Sequence, residues 1–161
     1  MGKMDGLRPP KSSPISTPPE PKPQRTEPKL KTVLFVCIGN ICRSPMAEAL
    51  ANRYGRDVIK ARSAGVSPGM SNSPQTRMVL AERNIDLGDH FPKPLDVFDM
   101  REIDLLINMS GYDLPPAIAR KVEDWRVNDP IGQSDEVYRQ VCDDIERRVM
   151  NLILRVRTGK I

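Results

Sequence analysis

Aromatic residues and histidine are scarce in this sequence: three Phe, three Tyr, one Trp and the single His90 among 161 residues. No segment approaches the roughly 18 consecutive apolar residues of a membrane span, and the first residues lack the apolar centre of a signal peptide. A soluble, cytoplasmic protein with no membrane contact is therefore expected. Three cysteines without an export signal exclude a disulfide framework. Cys37 and Cys42 form a Cys-x4-Cys pair with no second pair, and one histidine does not complete a zinc site, so neither metal nor cofactor is expected. Charge excess is also small. The net +4 divides into +3 on the first 30 residues, where six Lys/Arg face three Asp/Glu, and +1 on the rest, which excludes a basic nucleic-acid reader.

Proline, by contrast, is abundant and unevenly placed. Residues 1–30 hold eight of the 16 prolines and almost no large apolar side chains, so they cannot offset the entropy of ordering. They are expected to form a disordered, polyproline-like tail, a solubilising extension or a ligand for an anionic or SH3-type partner. Residues 31–161 are long enough for one compact domain with its own core, expected as a monomer.

Within that domain the pattern alternates strand and helix. KTVLFVC is a short apolar, β-branched run suited to a buried parallel strand. SPMAEALANRYG follows as a helix with a first-turn proline and Gly55 as its stop. DVIKARSAG reads as a second strand closed by Gly65. SPQTRMVLAERN reads as a second helix capped by Ser73, with Met78 and Leu80 inward. IDLLINM is a third strand, PPAIARKV a short helical piece, and VEDW a fourth, weaker strand. SDEVYRQVCDDIERRVMNLILRV is a long last helix with Val137, Val141, Ile145, Val149 and Ile153 on one face. The order predicts an α/β fold: a three-layer αβα sandwich on a four-stranded parallel sheet, with ligands beyond the carboxyl ends of the strands.

The stretch VCIGNICRSP lies at that edge, between the first strand and the first helix. A loop curling around one point aims the backbone N–H groups of Ile38, Gly39, Asn40, Ile41, Cys42 and Ser44 inward and makes a cradle for a tetrahedral oxyanion. Cys37 sits at its base, where the helix N-terminus and Arg43 favour a thiolate. Arg43 offers a fork for two equatorial oxygens, Gly39 and Asn40 suit positive φ angles, and Ser44 can donate its hydroxyl to the sulfur. Buried cysteines are often plain packing residues, and a Cys and an Arg six positions apart also occur by chance. Here a strand before, a helix after and Gly-Asn within the loop argue for catalysis. An acid to protonate a leaving group is not singled out by the residues alone: Asp113, Asp124 and Asp129 are equivalent candidates.

VCIGNICRSPMAEAL resembles the phosphate loop of low-molecular-weight protein tyrosine phosphatases and of the thioredoxin-linked arsenate reductases built on the same fold. The likeness continues through ARSAG, NIDLGDH, IDLLINM and WRVNDP and covers residues 32–157. The resemblance implies that Cys37 carries a phosphocysteine and that Arg43 binds the phosphate. It implies that Asn40, Ser44 and Ser63 hold the loop, and that Asp129 of Asp129-Pro130 protonates the leaving oxygen and then activates water. It implies that Cys42 can pair with Cys37 under oxidation, and a structural part for His90. Cys142 is expected to be packing.

The resemblance thus implies a phosphomonoester hydrolase acting on protein phosphotyrosine or small aryl phosphates. The alternative is an arsenate reductase that uses the same loop with an external thiol reductant. A third possibility is an oxyanion-binding scaffold without turnover, to which a general acid would be of no use. Two departures bear on the choice. Phosphatases of this type follow Asp-Pro with aromatic walls, whereas Ile131 and Gly132 stand here and VSPGMSN after SAG has no aromatic. The reductases relay electrons through two cysteines after the third strand, whereas NMSGYDLPPAIA has none.

Overall fold

The computed structural model describes residues 2, 6, 9–23, 29–115 and 118–161. Four strands, β1 (Lys31–Cys37), β2 (Ile59–Gly65), β3 (Leu105–Asn108) and β4 (Val122–Asp124), form one parallel sheet in the order β2-β1-β3-β4. The three helices are α1 (Arg43–Tyr54), α2 (Pro74–Ala81) and α3 (Asp135–Arg157). The chain leaves β1 toward β2 on one side and returns to β3 on the other. The strand order therefore reverses at the carboxyl end of β1, the position at which open α/β sheets bind ligands.

The sheet is apolar on both faces because β1 reads VLFV without alternation: Val33, Leu34, Phe35 and Val36 are all fully buried. Val33 and Phe35 join Leu105 and Ile107 in the larger core, beneath Met46 and Leu50 of α1, Val79 and Leu80 of α2, and Ile145, Val149 and Ile153 of α3. Leu34, Val36 and Leu106 line the opposite face, covered by the 3-10 turns Leu95–Val97 and Met100–Glu102 and by Leu114 and Ile118. That second layer is thinner than a helical one. The expected helix over PPAIARKV falls partly on residues 116 and 117, outside the described residues; 118–120 are bends, and Val122 already belongs to β4.

Some local expectations change. On α2 the inward residues are Thr76, Val79 and Leu80, while Met78 is only half-buried, because the helix spans eight residues and its apolar face is centred one position later. Val137 is likewise half-buried, and Tyr138 takes the inward place at the start of α3. Ser73 occupies the cap position of α2 without capping it; its hydroxyl goes to Tyr138 and Gln75. Ser134 does cap α3, accepting from the Val137 N–H at 3.4 Å. Gly55 ends α1 where α3 crosses it so closely that a Cβ would lie 2.7 Å from Ile153 Cγ1.

Of the tail, residues 9–23 are exposed and without regular structure; the expectation of disorder for 1, 3–5, 7, 8 and 24–28 lies outside the described residues. No described helix is long and apolar enough to cross a membrane.

Candidate active site

The loop after β1 is held from outside by its carbonyl groups. Val66 N–H donates to Cys37 O at 3.1 Å, Ser67 to Ile38 O at 2.8 Å, Gly69 to Gly39 O at 2.9 Å and Ser73 to Ile41 O at 3.2 Å. Thr76 Oγ1 adds a second bond to Ile41 O at 2.9 Å. With the carbonyls drawn outward, the peptide planes turn their N–H groups the other way. Among the described residues, the N–H groups of Gly39, Asn40, Ile41 and Cys42 have no protein acceptor. Unpaired donors this close together in one turn are available to an oxyanion.

The tight curl depends on two positions. Asn40 has φ of 54°, in the left-handed region that Asn tolerates. Gly39 does not share it; its lack of a side chain serves close packing beside Gly69 instead. At the end of β2, Gly65 lies against the loop, where a Cβ would meet Ile38 O at 2.7 Å and Asn40 N at 2.9 Å.

Cys37 is 2 % exposed, and its sulfur lies 2.9 Å from Ser44 Oγ. Asn40 Nδ2, which can only donate, gives a bond to the same hydroxyl at 2.7 Å. The Ser44 hydrogen is thereby left for an acceptor, and the Cys37 sulfur is nearer than Ala64 O at 3.4 Å. Asn40 is fixed in turn by Lys93 N–H, which donates to its Oδ1 at 3.1 Å.

Arg43 is buried. Its Nη1 donates to Met109 O at 2.6 Å and Val127 O at 3.1 Å, the carbonyls of the loops that follow β3 and β4. Nη2 faces Asp129 Oδ2 at 3.5 Å. Nε is buried with no partner, and among the described residues it is the only buried side-chain nitrogen or oxygen in that condition. A guanidinium anchored through one nitrogen, with the Nε/Nη2 edge open, is preset for bidentate capture of an oxyanion. Asp129 Oδ1 accepts the Ile131 N–H at 3.1 Å, which fixes the Asp-Pro turn and leaves Oδ2 directed at Arg43.

Cys37, Asn40, Cys42, Arg43, Ser44 and Asp129 are thus brought together. Among the described residues, the Ser63 side chain makes no hydrogen bond to the loop: its hydroxyl bonds Glu48 of α1 and lies 3.0 Å from His90 Nε2. It reaches the loop only through residues 90–93. His90 is held by Asn72 at 2.9 Å, and burial with Lys93 and Arg77 nearby lowers its pKa to about 4. Asp113 and Asp124 line a 500 Å³ cavity that Arg43 also lines, with Tyr112, Trp125 and Arg126. Trp125 itself is core, packed on Phe35 with ring centroids 5.8 Å apart.

Tyr138 adjoins the loop although it lies outside the motif. Its hydroxyl accepts from Ser73 Oγ at 2.9 Å and lies 3.4 Å from Cys42 Sγ, joining α2 and α3 to the second half of the loop. The signal was present: a tyrosine in an apolar helical stripe needs a partner for its hydroxyl. Burial raises the Cys42 thiol. On α3 Cys142 is pushed up to about 12, chiefly by burial, so it is held as an inert thiol.

Comparison with known proteins agrees with this geometry. The family model described as low molecular weight phosphotyrosine protein phosphatase matches residues 32–160. The glutaredoxin arsenate reductase of Synechocystis sp. is 35% identical over 131 residues, 79% of this chain and 99% of that one. The protein-arginine-phosphatase of Bacillus subtilis is 34% identical over 150 residues, 80% of this chain and 98% of the other. A solved arsenate reductase in its phosphate-binding state superposes with a TM-score of 0.74 at 35% identity, covering 79% of this chain and 99% of that structure. With a family model matched over residues 32–160, the chain belongs to the low-molecular-weight phosphotyrosine protein phosphatase family.

Proposed function

We propose that this protein is a metal-free phosphomonoester hydrolase that works through a phosphocysteine on Cys37, with protein phosphotyrosine or a small aryl phosphate as substrate. The observation that carries this reading is the Asp129 carboxylate placed 3.5 Å from the anion-binding nitrogen of Arg43, in a chain with no further accessible thiol.

In the first step the Cys37 thiolate attacks phosphorus, the P–O bond to the leaving group breaks, and Asp129 gives that oxygen its proton. The arriving dianion takes over the Nε/Nη2 edge of Arg43 and frees the Asp129 oxygen to hold the proton. In the second step Asp129 accepts a proton from water as the water attacks the phosphocysteine; phosphate leaves and Cys37 is again a thiolate. The Ser44 hydroxyl at 2.9 Å stabilises the sulfur at both ends of the cycle.

Exposed aliphatic side chains stand where aromatic walls were expected. Ile131 follows the acid's turn and is 52% exposed, and Met70 follows Gly69, which is bonded to the loop. They give a phenol ring apolar contact without stacking, which supports aryl phosphates as a class more than one narrow phosphopeptide.

Arsenate reduction is the second reading, favoured by the reductases among the similar proteins. It requires an outside thiol, since Met109 is buried after β3 and Cys142 is the only cysteine beyond the loop. Phosphate release from p-nitrophenyl phosphate, measured beside arsenate-dependent oxidation of glutathione with glutaredoxin, separates the two. We expect hydrolysis that disappears in Cys37→Ser while inorganic phosphate still binds. Arsenate reduction with negligible hydrolysis would overturn the phosphatase reading.

A further inference from the structure

A cavity of 720 Å³ lies away from the nucleophile. It lies between the end of α1, the outer edge of β2 and residues 84–93. Arg53 and Arg56 enter it from α1 and the turn after it, Arg62 from β2, and Lys93 from the segment that holds Asn40. Among the described residues none of these four makes an ion pair, whereas Arg83, Arg139, Arg148, Arg155 and Arg157 each hold a carboxylate. Arg62 is close enough to Lys93 to oppose its charge. Of the cavity's three acids, Glu48 is turned to Ser63, and Asp86 accepts the Gly88 N–H at 2.8 Å. Four cations thus face three acids, and Glu48 is close enough to act on both Lys93 and Arg62, so the lining carries an excess of one positive charge.

Apolar surface completes the site. Ile85 and Leu87 form part of the lining, and the Phe91 ring stands 65% exposed with the Lys93 ammonium 5.2 Å from its centroid. A concave site of this volume, part apolar and part cationic, has the character of a small-molecule pocket. The open edge of β2 is closed to an added strand, because the Asn52 amide pairs with both the N–H and the C=O of Ala61, at 3.0 and 3.1 Å, as a neighbouring strand would. An extended peptide is thereby excluded as the occupant.

We propose that this cavity is a second ligand site, taking a small organic anion with two or more acidic groups on a flat apolar frame, and that its occupancy is felt at Cys37. The path is short. Lys93 N–H holds Asn40 at 3.1 Å, Asn40 holds the Ser44 hydroxyl at 2.7 Å, and that hydroxyl meets the Cys37 sulfur at 2.9 Å. An anion that draws Lys93 toward Arg62 acts on the first of these bonds. The site is independent of which oxyanion reaction Cys37 performs.

The probe is benzene-1,3,5-tricarboxylate, whose planar acid groups fit the tetrahedral cradle of the loop poorly. Titration calorimetry on the full chain should give saturable 1:1 binding, weakened at least about 10-fold in the Arg53→Ala/Arg62→Ala double variant. Binding should be unchanged in Arg43→Ala. Saturating tricarboxylate should also change the rate at which iodoacetamide alkylates Cys37. No saturable heat up to about 10 mM overturns the site, as does binding lost in Arg43→Ala and kept in the double variant. If Arg43→Ala does not fold by circular dichroism, the double variant decides alone, and unweakened binding overturns the proposal. Binding with an unaltered alkylation rate overturns the link to Cys37.

Discussion

Asp129 and Arg43 meet before any substrate is present, and that contact orders the roles of the two side chains. The guanidinium is anchored by two backbone carbonyls through Nη1, so its position does not depend on the carboxylate. Asp129 has one oxygen tied to Ile131 and one turned to the anion site. Removing it should leave the cradle intact and remove both the proton that the leaving group needs and the base that activates water in the second step. Asp129→Ala is expected to lower kcat/KM, which reports the first step alone, roughly 10² to 10⁴-fold for a phenyl phosphate, and far less for p-nitrophenyl phosphate, whose leaving group needs little protonation. Asp113→Ala and Asp124→Ala, whose carboxylates form no ion pair with Arg43 among the described residues, are the controls and should keep normal rates. Equal loss with both substrates would remove Asp129 from the role of acid. Arg43→Lys loses the fork while keeping the charge, and kcat/KM should fall by about 10² to 10³, the scale of one lost oxyanion donor. A lysine variant with near-normal kcat/KM would mean that charge, not the open Nε/Nη2 edge, binds the oxyanion.

At the scale of elements, the loop is a product of three neighbours. The segment after β2 holds its carbonyls, residues 90–93 hold Asn40, and α2 and α3 hold Ile41 and Cys42 through Thr76, Ser73 and Tyr138. Tyr138→Phe removes one buried hydroxyl shared by Ser73 and Cys42, so unfolding free energy should drop by about 1 kcal/mol. If Tyr138 positions the loop, kcat/KM should fall as well and the Cys42 thiol should react faster with a maleimide. A stability loss with unchanged kinetics would reduce it to a packing residue. Sequence pattern sufficed for the strands and for α1 and α3, because β-branched runs, a first-turn proline and a 3.6-residue stripe are local signals. It failed at PPAIARKV and at the 3-10 turns over 95–102, where short irregular segments are shaped by the sheet face they cover. The cradle, Cys37, Arg43 and Ser44 were legible because they lie within eight consecutive residues. Glu48, Lys93 and Tyr138 were not, since each acts across the fold; only the Ser44–Glu48 spacing of one helical turn and the tyrosine in an apolar stripe hinted at them.

For the whole molecule, the reversal of strand order at β1 places the loop, and the network under β2 bears on stability. His90 belongs to that network, with its side chain only 6% exposed and Glu48 Oε2 at 3.5 Å from its Nε2. Burial and the cations Lys93 and Arg77 bring its folded pKa to about 4, against 6.5 when unperturbed. Between those two values the unfolded chain binds a proton that the folded chain refuses, so the folded state loses stability as pH falls from about 6.5 toward about 4. The full loss is up to about 3 kcal/mol. Glu48 acts with the opposite sign: burial raises its carboxyl above 4.5, so the folded chain takes that proton first and is favoured as pH falls through the region just above 4.5. The two effects are separable because His90→Gln deletes only the first. Urea unfolding at pH 7 and pH 4.5 should show the unaltered chain losing more stability over that interval than His90→Gln does, whatever the offset between them at pH 7. Parallel losses would mean that the imidazole is already protonated in the folded chain, paired with Glu48 as an ion pair. The strap from His90 to Lys93 would then be held by charge, and raised ionic strength would loosen Asn40 and slow turnover, an effect that a neutral histidine does not produce.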